Sequence, residues 1–154
     1  ADALLLPWVR SLAAAASGAR VRGLLVGRDA TLHFAPLPPA EAQATLAQLL
    51  QVWHEGMNAP LPLPLRTALA WVAGGDGAGT YEGSFQQEGE GTEPCLARIY
   101  PDFEALSADG RFEALARGVC GPLADWATLQ VRVQAHPGGG ADTSAPAPAT
   151  EASA

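Results

Sequence analysis

The residues that could do chemistry in this chain are few, and they do not form a recognised catalytic set. Its three histidines, His33, His54 and His136, are far apart in the sequence. No Gly-x-Ser-x-Gly elbow accompanies them, so no serine nucleophile with a neighbouring base is indicated. The glycine-rich run at 74–77 lacks the Gly-Lys-Ser/Thr ending of a phosphate-binding loop. We therefore expect no ATP site in this chain.

Carboxylates and thiols offer two further candidates for a metal or reactive site. Glu88, Glu90 and Glu93 are close in sequence, as metal-binding carboxylates can be. They lie in a glycine-rich segment without a predicted rigid scaffold, so we interpret them as a solvated acidic loop. Cys95 and Cys120 lack CxxC spacing and accompanying histidines, which argues against a zinc site or a disulfide framework. Cys120 lies on an apolar helix pattern, so we expect it to be buried and unreactive.

Composition limits the possible partners. The chain has 154 residues, 48% of them hydrophobic, which is enough for one domain with a core. All nine basic residues are Arg, against sixteen acidic residues, and the net charge is -7. That balance argues against a strongly basic DNA-binding surface and favours a partner-facing part of a larger assembly. Without a signal peptide or a membrane-spanning apolar run, a cytoplasmic protein is expected.

Hydrophobic periodicity predicts a helix at the N-terminus followed by a pair of strands. Residues 4–16 place their large apolar side chains on one helical face. Residues 19–26 and 30–37 have strand character, and the turn formers at 27–29 favour a hairpin between them.

A second, longer helix is predicted from Pro39 to Gly56. Pro39 suits the first turn of a helix, and Gly56 suits its end. Its apolar face includes Leu50 and Trp53. We expect both side chains to be buried against the strand pair.

The rest of the chain alternates between irregular and helical patterns. The Pro-Leu-Pro-Leu-Pro run at 60–64 predicts an extended strap, with its leucines on the core surface. Helices are predicted over 66–73 and 111–126, and a loop over 74–91 that includes a short ordered piece around Tyr81 and Phe85. We therefore divide the chain into one domain, residues 1–135, and a disordered Ala/Pro/Gly/Ser tail, residues 136–154.

Several short motifs follow one another between residues 53 and 100. They are Gly56-Met57, the strap, Ala70-Trp71, Tyr81-Glu82-Gly83 and Gly89-Glu90-Gly91. Their order resembles the C-terminal domain of the RecC family, the gamma subunits of bacterial exodeoxyribonuclease V, and can be followed to about residue 124. The resemblance implies an α/β fold with a degenerate PD-(D/E)XK (restriction-endonuclease-like) core, a small sheet packed by helices, here incomplete at its N-terminus.

The resemblance also implies where a nuclease site would have been. In RecB-type nucleases, a strand bearing an aspartate leads through a turn to a strand that ends in Asp-Tyr-Lys. On this pattern Leu25 replaces the first aspartate, His33 the second, and Ala35 the lysine. A leucine cannot hold a divalent cation, and the chain contains no lysine. We therefore expect no catalytic residues, no metal and no cofactor.

The function implied by the resemblance is that of a non-catalytic scaffold. Such a domain would contact RecB-like and RecD-like subunits and help to guide DNA strands during double-strand break repair, with DNA reached through the assembled complex and a role in Chi recognition. Two departures from the family concern the short joint at 74–80 and Arg66, which stands where relatives often have lysine. Arg66 is the one candidate DNA contact.

Two other functions remain open at this point. One is a metal-dependent DNA nuclease domain completed by residues outside this chain. The other is a free-standing peptide-binding module that uses the proline strap at 60–64, although the leucines of the strap favour internal packing.

Overall fold

The computed structural model describes residues 2–136. A 3-10 turn, Asp2–Leu4, leads into helix α1, Leu5–Ala16. Helix α1 buries Trp8, Leu12 and Ala15, which are spaced by four and three residues, and this confirms the predicted first helix. Just beyond its end, Gly18 has a φ of +85°, a left-handed conformation that glycine adopts without strain.

The predicted hairpin is confirmed, but both strands are shorter than expected. Strand β1, Gly23–Val26, pairs antiparallel with strand β2, Ala30–Phe34, and Leu25 lies opposite Leu32. Residues 19–22 and 35–37 stay outside the ladder.

Helix α2, Pro39–Gly56, forms with the predicted bounds, but the predicted burial of its last turns was wrong. Ala42, Leu46 and Leu49 face the core. Leu50 and Trp53 are 58% and 62% exposed. The apolar arc of α2 is wider than the surface that its neighbours cover, so one side of that arc remains in solvent.

The strap at 60–64 packs against the core, and the predicted position on the core surface is confirmed for Leu63. Pro62 and Pro64 are buried, and Leu63 packs against the second apolar cluster described below. Pro64 directly precedes helix α3, Leu65–Val72, and lies outside its first turn with a φ of -65°. Because Pro62 and Pro64 face inward, the strap offers little of itself to a bound peptide.

The ordered piece predicted around Tyr81 and Phe85 is confirmed, but the ordered structure within 74–91 is more extensive than the predicted loop. Helix α4, Gly77–Glu82, is followed by a small hairpin of strands β3, Gly83–Ser84, and β4, Gln87–Glu88, and then by a 3-10 turn, Glu90–Thr92. A carboxylate oxygen of Asp76 accepts the N–H of Gly79 at 2.8 Å and so caps α4. Here the glycines allow close backbone contacts, and the segment is ordered.

Two short helices follow that the sequence patterns did not predict. They are α5, Pro94–Ile99, and α6, Phe103–Ser107. Each begins with a carboxylate cap: Glu93 accepts from two N–H groups of α5, and Asp102 accepts from Ala105 at 2.7 Å. Both helices are too short for periodicity to reveal them.

The predicted C-terminal helix is continuous but not uniform. Helix α7, Arg111–Leu115, passes through a π-helical turn, Ala116–Cys120, into helix α8, Gly121–Leu129. The wider turn precedes Pro122, which has no backbone N–H to donate.

A strand that was not predicted completes the sheet. Strand β5, Val131–Ala135, pairs antiparallel with β2 and gives the strand order β1-β2-β5. His136, at the predicted start of the tail, donates its backbone N–H to the carbonyl of Asp29 at 2.9 Å. The other residues of the predicted tail, 137–154, lie outside the described residues.

Two apolar clusters form the core. The first lies between α1, α2, α8 and the sheet, and its buried members are Trp8, Leu12, Ala15, Phe34, Ala42, Leu123 and Trp126. The second lies between α3, α4 and the helices that follow, and its buried members are Ala68, Tyr81, Leu106, Phe112, Ala116, Val119 and Cys120. Leu49 of α2 and Leu69 of α3 pack against both clusters.

The fold is therefore mixed α/β, with a small antiparallel sheet packed by helices, as expected at that level. The finer assignments, a degenerate PD-(D/E)XK core that is incomplete at its N-terminus, stay predictions. Between residues 2 and 136, no helix combines the length and apolarity needed to span a bilayer.

Candidate functional site

Of the three positions that correspond to the nuclease motif, Leu25 is on the face of the sheet opposite to His33 and Ala35. Leu25 pairs with Leu32, and both pack against the first core cluster. His33 pairs with Leu24 on one side and with Arg132 on the other. Side chains alternate along a strand, so Leu25 and His33 point to opposite faces of the sheet. The side chains at these two positions therefore do not meet at one point, and the absence of a metal site stays a prediction.

The outer face of the sheet forms an open groove of about 860 Å³. Arg22, Leu24, His33, Ala35 and Arg132 are among the residues that line it. The Nε2 atom of His33 lies 2.9 Å from the Oε1 atom of Gln134 across the strand pair. Ala35 is exposed, and its N–H donates to the carbonyl of Gln130 at 3.0 Å. With two guanidinium groups and no carboxylate among its described lining residues, the groove suits an anion better than a divalent cation.

The Glu90 carboxylate joins the second half of the domain to the start of α3. Its Oε1 atom accepts the N–H of Arg66 at 3.1 Å, and its Oε2 atom accepts the N–H and the hydroxyl of Thr67 at 2.7 and 2.9 Å. These N–H groups belong to the first turn of α3, where a helix has no intrahelical acceptors for them. Glu90 therefore caps a helix that is distant in sequence.

The glycines on either side of Glu90 permit this approach. A Cβ atom on Gly89 would overlap the backbone of Tyr81, Glu82 and Gly83, and one on Gly91 would meet the Tyr81 ring. The motifs Tyr81-Glu82-Gly83 and Gly89-Glu90-Gly91 thus form one packed unit. Their residue types are explained by close contact between two backbone segments.

The interpretation of the three glutamates as a solvated acidic loop was wrong for Glu90, whereas Glu88 and Glu93 are exposed. Glu90 is half-buried and caps α3, and Glu93 caps α5. Glu88 is exposed, and its Oε1 atom accepts the hydroxyl of Thr92 at 3.0 Å. Over residues 2–136, no three His, Cys, Asp or Glu side chains are grouped so that they could hold a metal ion.

Arg66 lies at the edge of this unit. Its side chain is exposed, and its Nη2 atom donates to the carbonyl of Glu88 at 3.1 Å. The guanidinium therefore has a structural bond, while part of it remains available to solvent. A DNA contact by Arg66 stays a prediction.

Burial disfavours the ionisation of the Cys120 thiol and the Tyr81 hydroxyl, the two groups of the second cluster that could act as acids or nucleophiles. Burial raises the pKa of the Cys120 thiol to about 11, and the charge of Glu90 adds to the effect. Burial also raises the pKa of Tyr81, with smaller contributions from Glu90, Asp102 and Tyr100. The Tyr81 hydroxyl donates to the carbonyl of Tyr100 at 2.6 Å. The expected burial of Cys120 is confirmed, and its thiol stays protonated at neutral pH.

Apolar side chains on the surface are more prominent than any reactive group. Leu50, Trp53 and Met57 are exposed by 58%, 62% and 67%, and we call these three residues the α2 stripe. Their spacing of three and four residues places them on one side of α2 and of the turn that follows it. A second exposed aromatic, Phe85, lies at the tip of the β3–β4 hairpin.

Sequence analysis missed three features of this surface. The alternation in Val-Arg-Val-Gln-Ala at 131–135 is the strand signal that would have placed Arg132 and Gln134 on the sheet. Glycines on both sides of Glu90 were a signal of close backbone approach. No signal in the sequence distinguishes the exposed Trp53 from a buried one.

Comparison with known proteins gives one family. Residues 1–76 match the family described as the RecC C-terminal domain. The match includes the hairpin, α2, the strap and α3, while the motifs at 81–91 lie beyond it. No curated protein matches the chain.

Proposed function

We propose that this chain is a non-catalytic scaffold domain that binds the other subunits of its complex. Its residues 1–76 belong to the RecC C-terminal domain family. The family is that of a subunit of the RecBCD complex, exodeoxyribonuclease V, which acts in DNA repair. The partners in this proposal are the RecB-like and RecD-like subunits, in the cytoplasm. DNA would be reached through the assembled complex.

The observation that carries this proposal is the α2 stripe. Three large apolar side chains on one side of a helix, each more than half exposed, are typical of a protein-binding surface. Between Glu41 and Glu55, α2 contains no Asp, Glu, Lys or Arg. An uncharged apolar surface gains free energy from a protein partner by burial and offers nothing to a phosphate backbone.

Trp53→Ala and Leu50→Ala test this surface in the full-length gene product. Affinity for the co-expressed RecB-like and RecD-like subunits should fall by about tenfold or more, because a truncated interface tryptophan commonly has such an effect. Unfolding curves should change little, since both side chains are largely exposed. Leu129→Ala is the matched control, because Leu129 is 76% exposed at the end of α8. Unchanged affinity of the Leu50/Trp53 double variant would contradict the proposal.

The charge of the chain supports binding to protein over direct binding to DNA. Nine arginines face sixteen acidic residues, and nonspecific DNA affinity depends on neutralising phosphates. We expect weak binding of duplex and forked DNA at about 0.15 M salt, close to physiological ionic strength. Sub-micromolar DNA binding that depends steeply on salt concentration, together with no binding to the subunits, would instead indicate that the domain binds DNA directly.

The absence of catalysis is part of the same proposal. Leu25 and His33 face opposite sides of the sheet, and the outer groove around Ala35 has a basic character. We propose that the chain uses neither a metal nor another cofactor. Incubation with linear duplex in Mg²⁺ or Mn²⁺ should leave the DNA intact. Cleavage that a chelator abolishes would instead support the nuclease alternative.

A further inference from the structure

The β3–β4 hairpin carries a fully exposed aromatic side chain at its tip. Gly83 pairs with Glu88 and Ser84 with Gln87, so Phe85 and Gln86 form a two-residue turn. The relative exposure of Phe85 is 106%, the highest of the large apolar side chains described. A phenylalanine in this position gains nothing from the fold of its own chain, and its burial would be favourable only against another molecule.

The base of this hairpin is held firmly. Gly83 and Gly89 lie so close that a Cβ atom on either would overlap backbone atoms of the other segment. Directly after the hairpin, Glu90 is bonded to the first turn of α3 through Thr67. An anchor that is already positioned loses little conformational entropy on binding. The hairpin is therefore suited to present Phe85 to a preformed pocket.

The surroundings of the hairpin are acidic. Residues 76–104 contain one arginine, Arg98, and seven acidic residues: Asp76, Glu82, Glu88, Glu90, Glu93, Asp102 and Glu104. This segment therefore holds six of the chain's seven net negative charges. Glu82 and Glu88, on either side of Phe85 in the sequence, are both exposed. Such a surface repels phosphate and attracts Lys and Arg side chains.

An open depression of about 390 Å³ lies at the base of the hairpin. Arg66, Glu88, Glu90 and Glu93 line it, so carboxylates outnumber the single guanidinium. The Arg66 side chain is itself engaged with the carbonyl of Glu88. The depression therefore has room and charge for a basic side chain from a partner.

We propose that the β3–β4 hairpin is a protein-docking element whose Phe85 enters an apolar pocket with a basic rim on a partner subunit. Acidic side chains at the base of the hairpin pair with Lys or Arg at that rim. The inference rests on the proposed scaffold function and adds a second docking surface to the neutral α2 stripe. The acidity of this segment disfavours the alternative in which Phe85 stacks on a nucleobase.

Phe85→Ala in the full-length gene product tests the anchor. Affinity for the RecB-like and RecD-like subunits should fall by about tenfold or more, since buried aromatic anchors dominate interface energetics. The thermal unfolding of the variant should match that of the unmodified protein, because Phe85 buries no surface within its own chain. Val26→Ala is the control, as Val26 is 71% exposed on β1, an edge strand of the other sheet.

Glu88→Gln tests the charge. It keeps an acceptor for the Thr92 hydroxyl and removes one negative charge. We expect slower association with the subunits at low salt and a weaker dependence of the association rate on ionic strength. Equal salt dependence in the variant and the unmodified protein would contradict the basic rim.

The results of these experiments distinguish a failure of the hairpin inference from a failure of the proposed scaffold function. If the Leu50/Trp53 variant weakens assembly and Phe85→Ala does not, the docking role of the hairpin is wrong and the scaffold function stands. If neither variant affects assembly, both fail. Weakened binding of forked DNA by Phe85→Ala, with subunit affinity unchanged, would assign Phe85 to DNA and overturn the inference.

Discussion

The Glu90 carboxylate accepts both the backbone N–H and the hydroxyl of Thr67, at 2.7 and 2.9 Å. Thr67 is the third residue of α3 and is completely buried. Pro64, the residue before α3, provides no side-chain cap, so Glu90 satisfies donors that the local sequence leaves unpaired. This contact joins the acidic segment, residues 76–104, to helix α3 and to the strap that precedes it.

Glu90→Gln should lower the free energy of unfolding by about 1–3 kcal/mol, because a neutral amide caps a helix less well and leaves a donor poorly matched. Denaturant melts measure this change. Glu104→Gln, an exposed first-turn residue of α6, is the control and should shift stability by no more than about 0.5 kcal/mol. Equal effects of the two substitutions would show that the Glu90 cap is not stabilising.

Thr67→Val combined with Glu90→Gln should give non-additive effects. The valine removes the hydroxyl that bonds to Glu90 and keeps a similar volume in a buried position. We expect a coupling free energy of about 0.5–3 kcal/mol in a double-mutant cycle, the range for residues in direct contact. Strict additivity would mean that the two side chains contribute independently.

Gly89→Ala should be clearly destabilising, by about 1–3 kcal/mol, as overpacking usually is. The new Cβ atom would meet backbone atoms of Tyr81, Glu82 and Gly83, which cannot move aside as a flexible side chain can. Gly121→Ala is the matched control: it lies in α8 with open space around it, and should be neutral or stabilising by up to about 1 kcal/mol. Thermal melts of the two variants decide the question.

Trp126→Ala and Trp53→Ala should differ greatly in stability. Trp126 is 4% exposed and its ring centroid lies 5.0 Å from that of Phe34, so its truncation should cost about 3–5 kcal/mol. Trp53 is mostly in solvent, and its loss should cost less than about 1 kcal/mol. A large loss for Trp53→Ala in the isolated chain would show that the α2 stripe belongs to the core.

Cys120 and Cys95 should differ in reactivity. Cys95 is exposed and Cys120 is buried, with the pKa of the Cys120 thiol raised to about 11. Iodoacetamide at pH 8 should modify one thiol per native chain and two per denatured chain, as mass spectrometry would show. Rapid modification of both thiols in the native chain would mean that Cys120 is accessible.

The same shift makes stability depend on pH. In the folded state the pKa of the Cys120 thiol is about 11, whereas the ordinary pKa of a cysteine thiol is 9.0. The resulting stabilisation is present below about pH 9 and is lost as the pH rises toward 11. Cys120→Ala should show a shallower fall in unfolding free energy between pH 9 and 10.5. An equal fall in both proteins would contradict this assignment.

Local sequence determined the elements whose signals lie within a few residues. The period of α1, Pro39 at the start of α2, the turn formers at 27–29 and the prolines of the strap each act through backbone conformation or a short-range pattern. The absence of lysine, and leucine at position 25, likewise predict without coordinates that no nuclease site is present, and this stays a prediction.

Only the tertiary structure determined which apolar side chains are buried and which segments that are distant in sequence contact each other. Trp53 has the same helical spacing whether a neighbour covers it or not, and the packing of α1 and the core clusters left it exposed. Strand β5 forms its backbone hydrogen bonds with β2, which lies about a hundred residues earlier in the chain. Glu90 looked like a loop acid until the fold brought α3 to it, because a cap that acts across 23 residues depends on contacts that no local pattern encodes.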